Sequence, residues 1–108
     1  MGRGGGRDRV SAYAVYIRPP ALRELKNLPG HVRQRARRAV DGLAANPRPS
    51  GSRRLRLPRL DLSVWRLRLD KWRILYAISE ADKAVDVLAV RTRPPYDYGD
   101  LGRLLSGL

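Results

Sequence analysis

Residues 64–78 read VWRLRLDKWRILYAI, and this stretch restricts the fold more than any other part of the chain. Apolar and charged positions alternate on both sides of Asp70-Lys71, the pattern of a β-hairpin with one buried face. A two-residue turn at Asp70-Lys71 pairs Leu69 with Trp72, Arg68 with Arg73, Leu67 with Ile74, Arg66 with Leu75 and Trp65 with Tyr76. One face then carries Trp65, Leu67, Leu69, Trp72, Ile74 and Tyr76, and the other carries Arg66, Arg68 and Arg73. Two arginines opposed across strands repel by roughly 0.2–1 kcal/mol. A face that accepts this cost is suited to an anion. The plainer alternative is a solvated outer face in an arginine-rich protein.

The charge balance bears on that choice. The chain has 108 residues, a net charge of +13 and a pI of about 11.4. Such an excess favours polyanionic partners: nucleic acid, the ribosome or an acidic protein. Lys occurs only at positions 26, 71 and 83, so 20 of the 23 basic residues are Arg. Genome base composition accounts for Arg over Lys, but not for basic over acidic. The chain has no Cys and a single histidine, His31, which excludes disulfides, Cys-based zinc sites and paired-histidine acid–base catalysis. No apolar run matches a membrane span. The expectation is one cytoplasmic domain with no membrane association, no cofactor and no metal.

Residues 1–11 are rich in Gly and Arg and are expected to form a flexible tail, with a single domain over 12–108. AYAVYI (12–17) is a β-prone first strand. Pro19-Pro20 opens a helix whose apolar positions Ala21, Leu22, Leu25 and Leu28 recur at helical spacing, and Pro29-Gly30 ends it. A second helix runs over about 31–45, with Val32, Ala36, Ala39, Val40 and Leu43 as its buried stripe. Its arginines 33, 35, 37 and 38 read as a solvated face that can also meet phosphate, and His31 as a surface residue. NPRPSGS (46–52) is a loop, 54–57 a short strand, and the hairpin follows. AVDVLAV (84–90) is apolar on both sides except Asp86, as in a strand covered on both faces. RTRPPYDY (91–98) is a basic aromatic loop, and Leu101, Leu104, Leu105 and Leu108 suggest a short C-terminal helix. The order, β-α-α-β-β-β, is that of an α+β domain: an N-terminal strand and a helical hairpin packed on one face of a small antiparallel sheet.

These stretches resemble the RelE/ParE superfamily of type II toxin–antitoxin toxins. YAVYIRPPALRELKNLP is similar to its opening strand and helix, and HVRQRARRAVDGLAANPRPSGSRRL to its second helix, Pro-bearing loop and next strand. VWRLRLDKWRILYAI matches its hairpin, and VDVLAVRTRPPYDY its last strand and basic loop. The resemblance implies a RelE-like, ribosome-dependent mRNA endoribonuclease that inhibits translation, held by a small acidic antitoxin in a heteromeric complex. It places the active site on Arg66 and Arg68 of one hairpin strand, Arg73 of the other, Arg93 after the last strand, and Tyr96 or Tyr98. Pro94-Pro95 departs from the family pattern there and leaves two tyrosines in competition.

The residues suit that chemistry. Attack of the RNA 2′-OH on its own phosphate needs a base, charge stabilisation and a proton for the leaving oxygen. Arginines supply fixed charge and forked donors that fit phosphate. They are poor bases, with reference pKa values of roughly 12.5–13.8, whereas tyrosine starts near ~10 and falls beside Arg⁺. One alternative is a ParE-like DNA gyrase inhibitor with no hydrolytic site. Another is a non-catalytic nucleic-acid-binding domain in which Trp65 and Trp72 stack bases. The alternation argues against the last, because it puts both Trp rings on the buried face.

Overall fold

The computed structural model describes residues 13–55 and 63–92. The tail over 1–11, the end of the strand expected at 54–57, the loop after Thr92 and the C-terminal leucines lie outside the described residues.

The chain opens with β1 (Ala14–Ile17), α1 (Pro19–Lys26) and α2 (Gly30–Gly42). Pro19 and Pro20 occupy the first helical positions of α1, where no amide hydrogen is needed. Ala21 and Leu25 form its buried stripe, and Leu28 just past its end is buried as well. Pro29 stops the chain from continuing, and its carbonyl then accepts the Arg33 N–H at 2.8 Å to open α2. Val32, Ala36 and Val40 recur on one side of α2 and are buried, as is Leu43 at its C-cap.

Four strands follow: β2 (Ser52–Leu55), β3 (Ser63–Leu69), β4 (Trp72–Ser79) and β5 (Ala84–Thr92). The sheet order is β1-β5-β4-β3-β2. The meander β2 to β5 is antiparallel, and β1 joins β5 in parallel, so the sheet of five strands is mixed. A parallel partner requires a crossover, and the two helices provide it on the sheet's first face. The β3–β4 register is the one the alternation dictates, from Leu69 opposite Trp72 to Trp65 opposite Tyr76. Asp70 takes φ +54° to close the turn, a conformation that Asp tolerates better than most residues.

The main core lies between helices and sheet. Leu67, Ile74, Tyr76, Ile78, Val85, Val87 and Val90 meet the two helical stripes, with Trp65, Leu69 and Trp72 partly buried against them. The Tyr76 ring is fully buried, and its hydroxyl donates to the Pro47 carbonyl at 2.7 Å, tying the α2–β2 loop to the middle strand. A second cluster occupies the other face: Val64, Leu75, Ala77, Leu88 and Ala89 are all buried, with Leu55 against them. This corrects the expectation that the arginine side of the hairpin is a simple outward face. β4 carries apolar side chains on both sides, as a middle strand of a two-sided sheet does.

Burial pushes the Tyr76 phenol up to about 12, against weaker opposing pulls from a Ser52 hydrogen bond and the Arg48 charge. An unfolded tyrosine ionises near ~10. The stabilisation from keeping this phenol neutral is therefore complete below that pH and is lost as pH rises through the folded value, by about 2–3 kcal/mol. Tyr76→Phe leaves the Pro47 carbonyl unbonded and is expected to cost about 1–3 kcal/mol at neutral pH. Denaturant titrations of the two proteins should show the variant's deficit shrinking in strong alkali, where only the parent carries this ionisable phenol.

Candidate nucleic-acid interface

The register across β3, β4 and β5 produces a row of three arginines. Arg68 stands opposite Arg73, and Arg73 stands opposite Arg91. Two residues further along β3, Arg66 is opposite Arg53 of β2. Strand alternation thus gathers Arg53, Arg66, Arg68, Arg73 and Arg91 on the face away from the helices. Arg68 and Arg53 are exposed, and Arg66 and Arg91 are half-buried.

Arg73 differs from the rest. It is only 3% exposed, and its Nη1 donates to the Asp70 carbonyl at 2.8 Å and the Trp72 carbonyl at 2.9 Å. Its guanidinium is bonded into the end of its own hairpin, and this corrects the expectation that it points to solvent. The row tolerates its internal repulsion because the middle charge is solvated by backbone oxygens. The turn is also anchored to the helical layer, where Arg35 on α2 pairs with Asp70. The hydrogen bond and charge of Arg35 hold the Asp70 carboxyl below the usual carboxylate range.

At the far end of the same face, Arg18 lies 3.7 Å from Asp86. Burial raises the Asp86 carboxyl, and Arg18 opposes it. Tyr16 of β1, opposite Asp86, is the one large hydrophobic residue left exposed among the described residues. Those residues include no group of His, Cys, Asp or Glu able to hold a metal ion. The arrangement presents fixed charge and forked donors of the kind that suit phosphate.

The family comparison adds the decisive observation. The model for the ParE toxin of type II toxin–antitoxin systems, parDE, matches residues 15–94. The chain belongs to the ParE toxin family. Among curated proteins none matches it closely enough to count as a relative. Among solved structures it is similar to the archaeal RelE–RelB complex from Pyrococcus horikoshii OT3, with TM-score 0.69 and 26% identity over 79% of this chain and 99% of that one. It is similar also to the RelBE toxin–antitoxin complex of Mycobacterium tuberculosis, with TM-score 0.64 and 25% identity over 76% of this chain and 99% of that one. The isolated Escherichia coli RelE toxin shares the fold, with TM-score 0.61 and 21% identity over 87% of this chain and 99% of that one. The RelE/ParE membership and the α+β class expected from the sequence are both borne out, with one correction: the sheet is mixed and not antiparallel throughout, because the helical crossover lays β1 parallel to β5.

Of the residues the sequence singled out in this toxin, the sheet brings Arg66, Arg68 and Arg73 onto one face. Arg93, Tyr96 and Tyr98 lie outside the described residues. Sequence reasoning missed Arg91 and Arg53. The sequence reads Arg91 as part of the loop, but β5 continues to Thr92 and carries it into the row. Continued alternation past Val90 was the available signal. Arg53 becomes visible only once β2 is placed against β3.

Arg73→Ala is therefore expected to destabilise this toxin by about 1–3 kcal/mol, since it removes a buried side chain that donates to two part-buried carbonyls. Arg68→Ala, at an exposed position, is expected to change stability by no more than about 0.5 kcal/mol. Thermal denaturation of both variants separates a structural arginine from a purely surface one.

Proposed function

We propose that this toxin is a ribosome-dependent mRNA endoribonuclease. The observation that carries the proposal is the arginine row across three strands with Arg66 beside it. Its like charges lie in register, an arrangement that an incoming phosphate relieves. In this reading the RNA 2′-OH attacks the adjacent phosphorus. The phenolate of Tyr96 or Tyr98 takes the hydroxyl proton, and Arg66, Arg68 and Arg91 offset the charge that develops on the phosphoryl oxygens. The 5′ oxygen leaves with a proton delivered with help from Arg93 or Arg66, and a 2′,3′-cyclic phosphate remains. Arg73 acts by position, keeping the hairpin end and its flanking arginines in place.

A second reading has its own support. The matching family model is that of ParE toxins. This suits a DNA gyrase inhibitor that works by binding alone. Two assays on the full-length toxin decide between them: primer extension on translated mRNA, and gyrase supercoiling. Cleavage within ribosome-bound mRNA, lost in Arg66→Ala and in a Tyr96→Phe/Tyr98→Phe double variant, supports the nuclease. Intact mRNA together with arrested supercoiling overturns it.

The partner follows from the same charge. The solved structures it resembles include RelE–RelB and RelBE complexes. By analogy, a small acidic antitoxin is proposed to cover this domain and neutralise Arg66, Arg68 and Arg91. Exposed ion pairs are screened within about 8 Å at physiological ionic strength, whereas apolar contacts are not. Association with the antitoxin should therefore slow with salt while the complex persists. Stopped-flow association at rising ionic strength measures the first, and a high-salt pull-down the second. A salt-independent association rate would count against charge steering.

A further inference from the structure

Asp70 is the one acidic residue between Ser63 and Ser79, and it stands at the tip of the hairpin. Period two along β3 puts Arg66 and Arg68 on one face, and Asp70 comes next in that series. Residues two apart on a strand are separated by about 7 Å, a gap that an arginine side chain spans. Asp70 nevertheless gives its carboxylate to the helical layer, where Oδ2 accepts a hydrogen bond from Nη1 of Arg35. Val32 and Ala36 of α2 are buried in the main core, and this packing brings Arg35 to the hairpin tip. The hydrogen bond and charge of Arg35 do most to hold the Asp70 carboxyl down, and the charges of Arg68 and His31 add weaker pulls. Arg68 is thus near enough for its charge to reach the carboxylate. Yet Arg68 is exposed, and among the described residues no acidic side chain pairs with it. Lys71, the other turn residue, also leans to the helical side, with Nζ 4.9 Å from the Trp72 ring centroid.

We propose that Arg35 is a positioning residue for the arginine row: by holding Asp70 it keeps the hairpin's own carboxylate off Arg68 and leaves Arg68 open to a phosphate. The inference rests on the RNA reading above and adds to that face a residue from the opposite layer. Carboxylate and phosphate fit the same forked donors of a guanidinium, so the two compete for one side chain. A carboxylate on the same hairpin needs no diffusion to reach Arg68, and a short tether of this kind sets an effective concentration on the order of mM. Without Arg35, the guanidinium two residues away is the one whose charge already reaches Asp70. Arg73 is no equal alternative, because its side chain is buried and its Nη1 is bonded to the Asp70 and Trp72 carbonyls. An exposed ion pair adds little to folding stability. The consequence of the Arg35–Asp70 pair therefore lies in which cation keeps the carboxylate.

The probe is a fluorescein-labelled oligouridine with 2′-O-methyl groups, which carries the phosphates but lacks the attacking hydroxyl. Its anisotropy is titrated with the full-length toxin over a series of salt concentrations. Arg35→Ala is expected to bind about tenfold more weakly, as for the loss of one charge-assisted contact. The slope of log affinity against log salt should fall by about one. Arg38→Ala removes the same charge from an exposed position of the same helix and is expected to bind like the parent. Asp70→Asn removes the competing charge and keeps the turn, since Asn also accepts a left-handed backbone. The double variant Arg35→Ala/Asp70→Asn is therefore expected to recover the parent's affinity and slope. Mere support of the turn predicts no such recovery, because the double variant lacks the pair as well. Thermal midpoints of all the variants are expected to match the parent. An Arg35→Ala protein that binds as tightly as Arg38→Ala, or a double variant as weak as Arg35→Ala, overturns the proposal and leaves the RNA reading standing. A parent toxin that does not bind the probe overturns both.

Discussion

The structure depends on the register between β3 and β4. Pairing Leu67 with Ile74 sends the large apolar side chains toward the helices and the arginines to the opposite face. A slip of one residue would exchange the faces, burying Arg66 and Arg68 under α1 and α2 and exposing both tryptophans. That penalty, a set of unpaired charges in the main core, far exceeds the modest repulsion between opposed arginines. The row of like charges is thus tolerated because the alternative register is worse.

Arg73 shows how the fold handles the strain that remains. A buried cation needs acceptors, and here the carbonyls of Asp70 in the turn and Trp72 at the start of β4 supply them. The same end of the hairpin is held from the helical layer by Arg35 on Asp70. The face offered to a polyanion is therefore built on a fixed end and not on loose side chains alone. Preorganised charge of this kind stabilises a developing negative charge without first paying to orient the groups. At the opposite end of the sheet, Glu80 receives the Tyr13 hydroxyl and pairs with Arg48, whose guanidinium lies 5.4 Å from the Trp65 ring centroid. That cluster pins the α2–β2 loop and leaves the charged face undisturbed.

Much of this was legible in the chain. Period two over VWRLRLDKWRILYAI gave strand type, turn position, register and face, because a half-buried antiparallel pair has one workable alignment. Helical spacing at Ala21, Leu25 and Leu28, and at Val32, Ala36, Val40 and Leu43, gave the stripes that meet the sheet. Proline placement gave the ends of α1. The candidate residues Arg66 and Arg68 were found for the same reason the strands were. Arg91 was not, because proline and tyrosine after it made the segment look like a loop.

What the sequence determined, then, was everything set by local periodicity: the elements, the hairpin alignment and the basic side of the sheet. Tertiary structure decided what depends on which strands become neighbours. It placed β1 parallel to β5, aligned Arg91 with Arg73 and buried that middle arginine, and it left β5 to run past β1 beside Glu24. None of these follows from alternation within one strand. They arise when the helical crossover brings β1 back to the far side of β5, because only then do distant residues share an edge and a row.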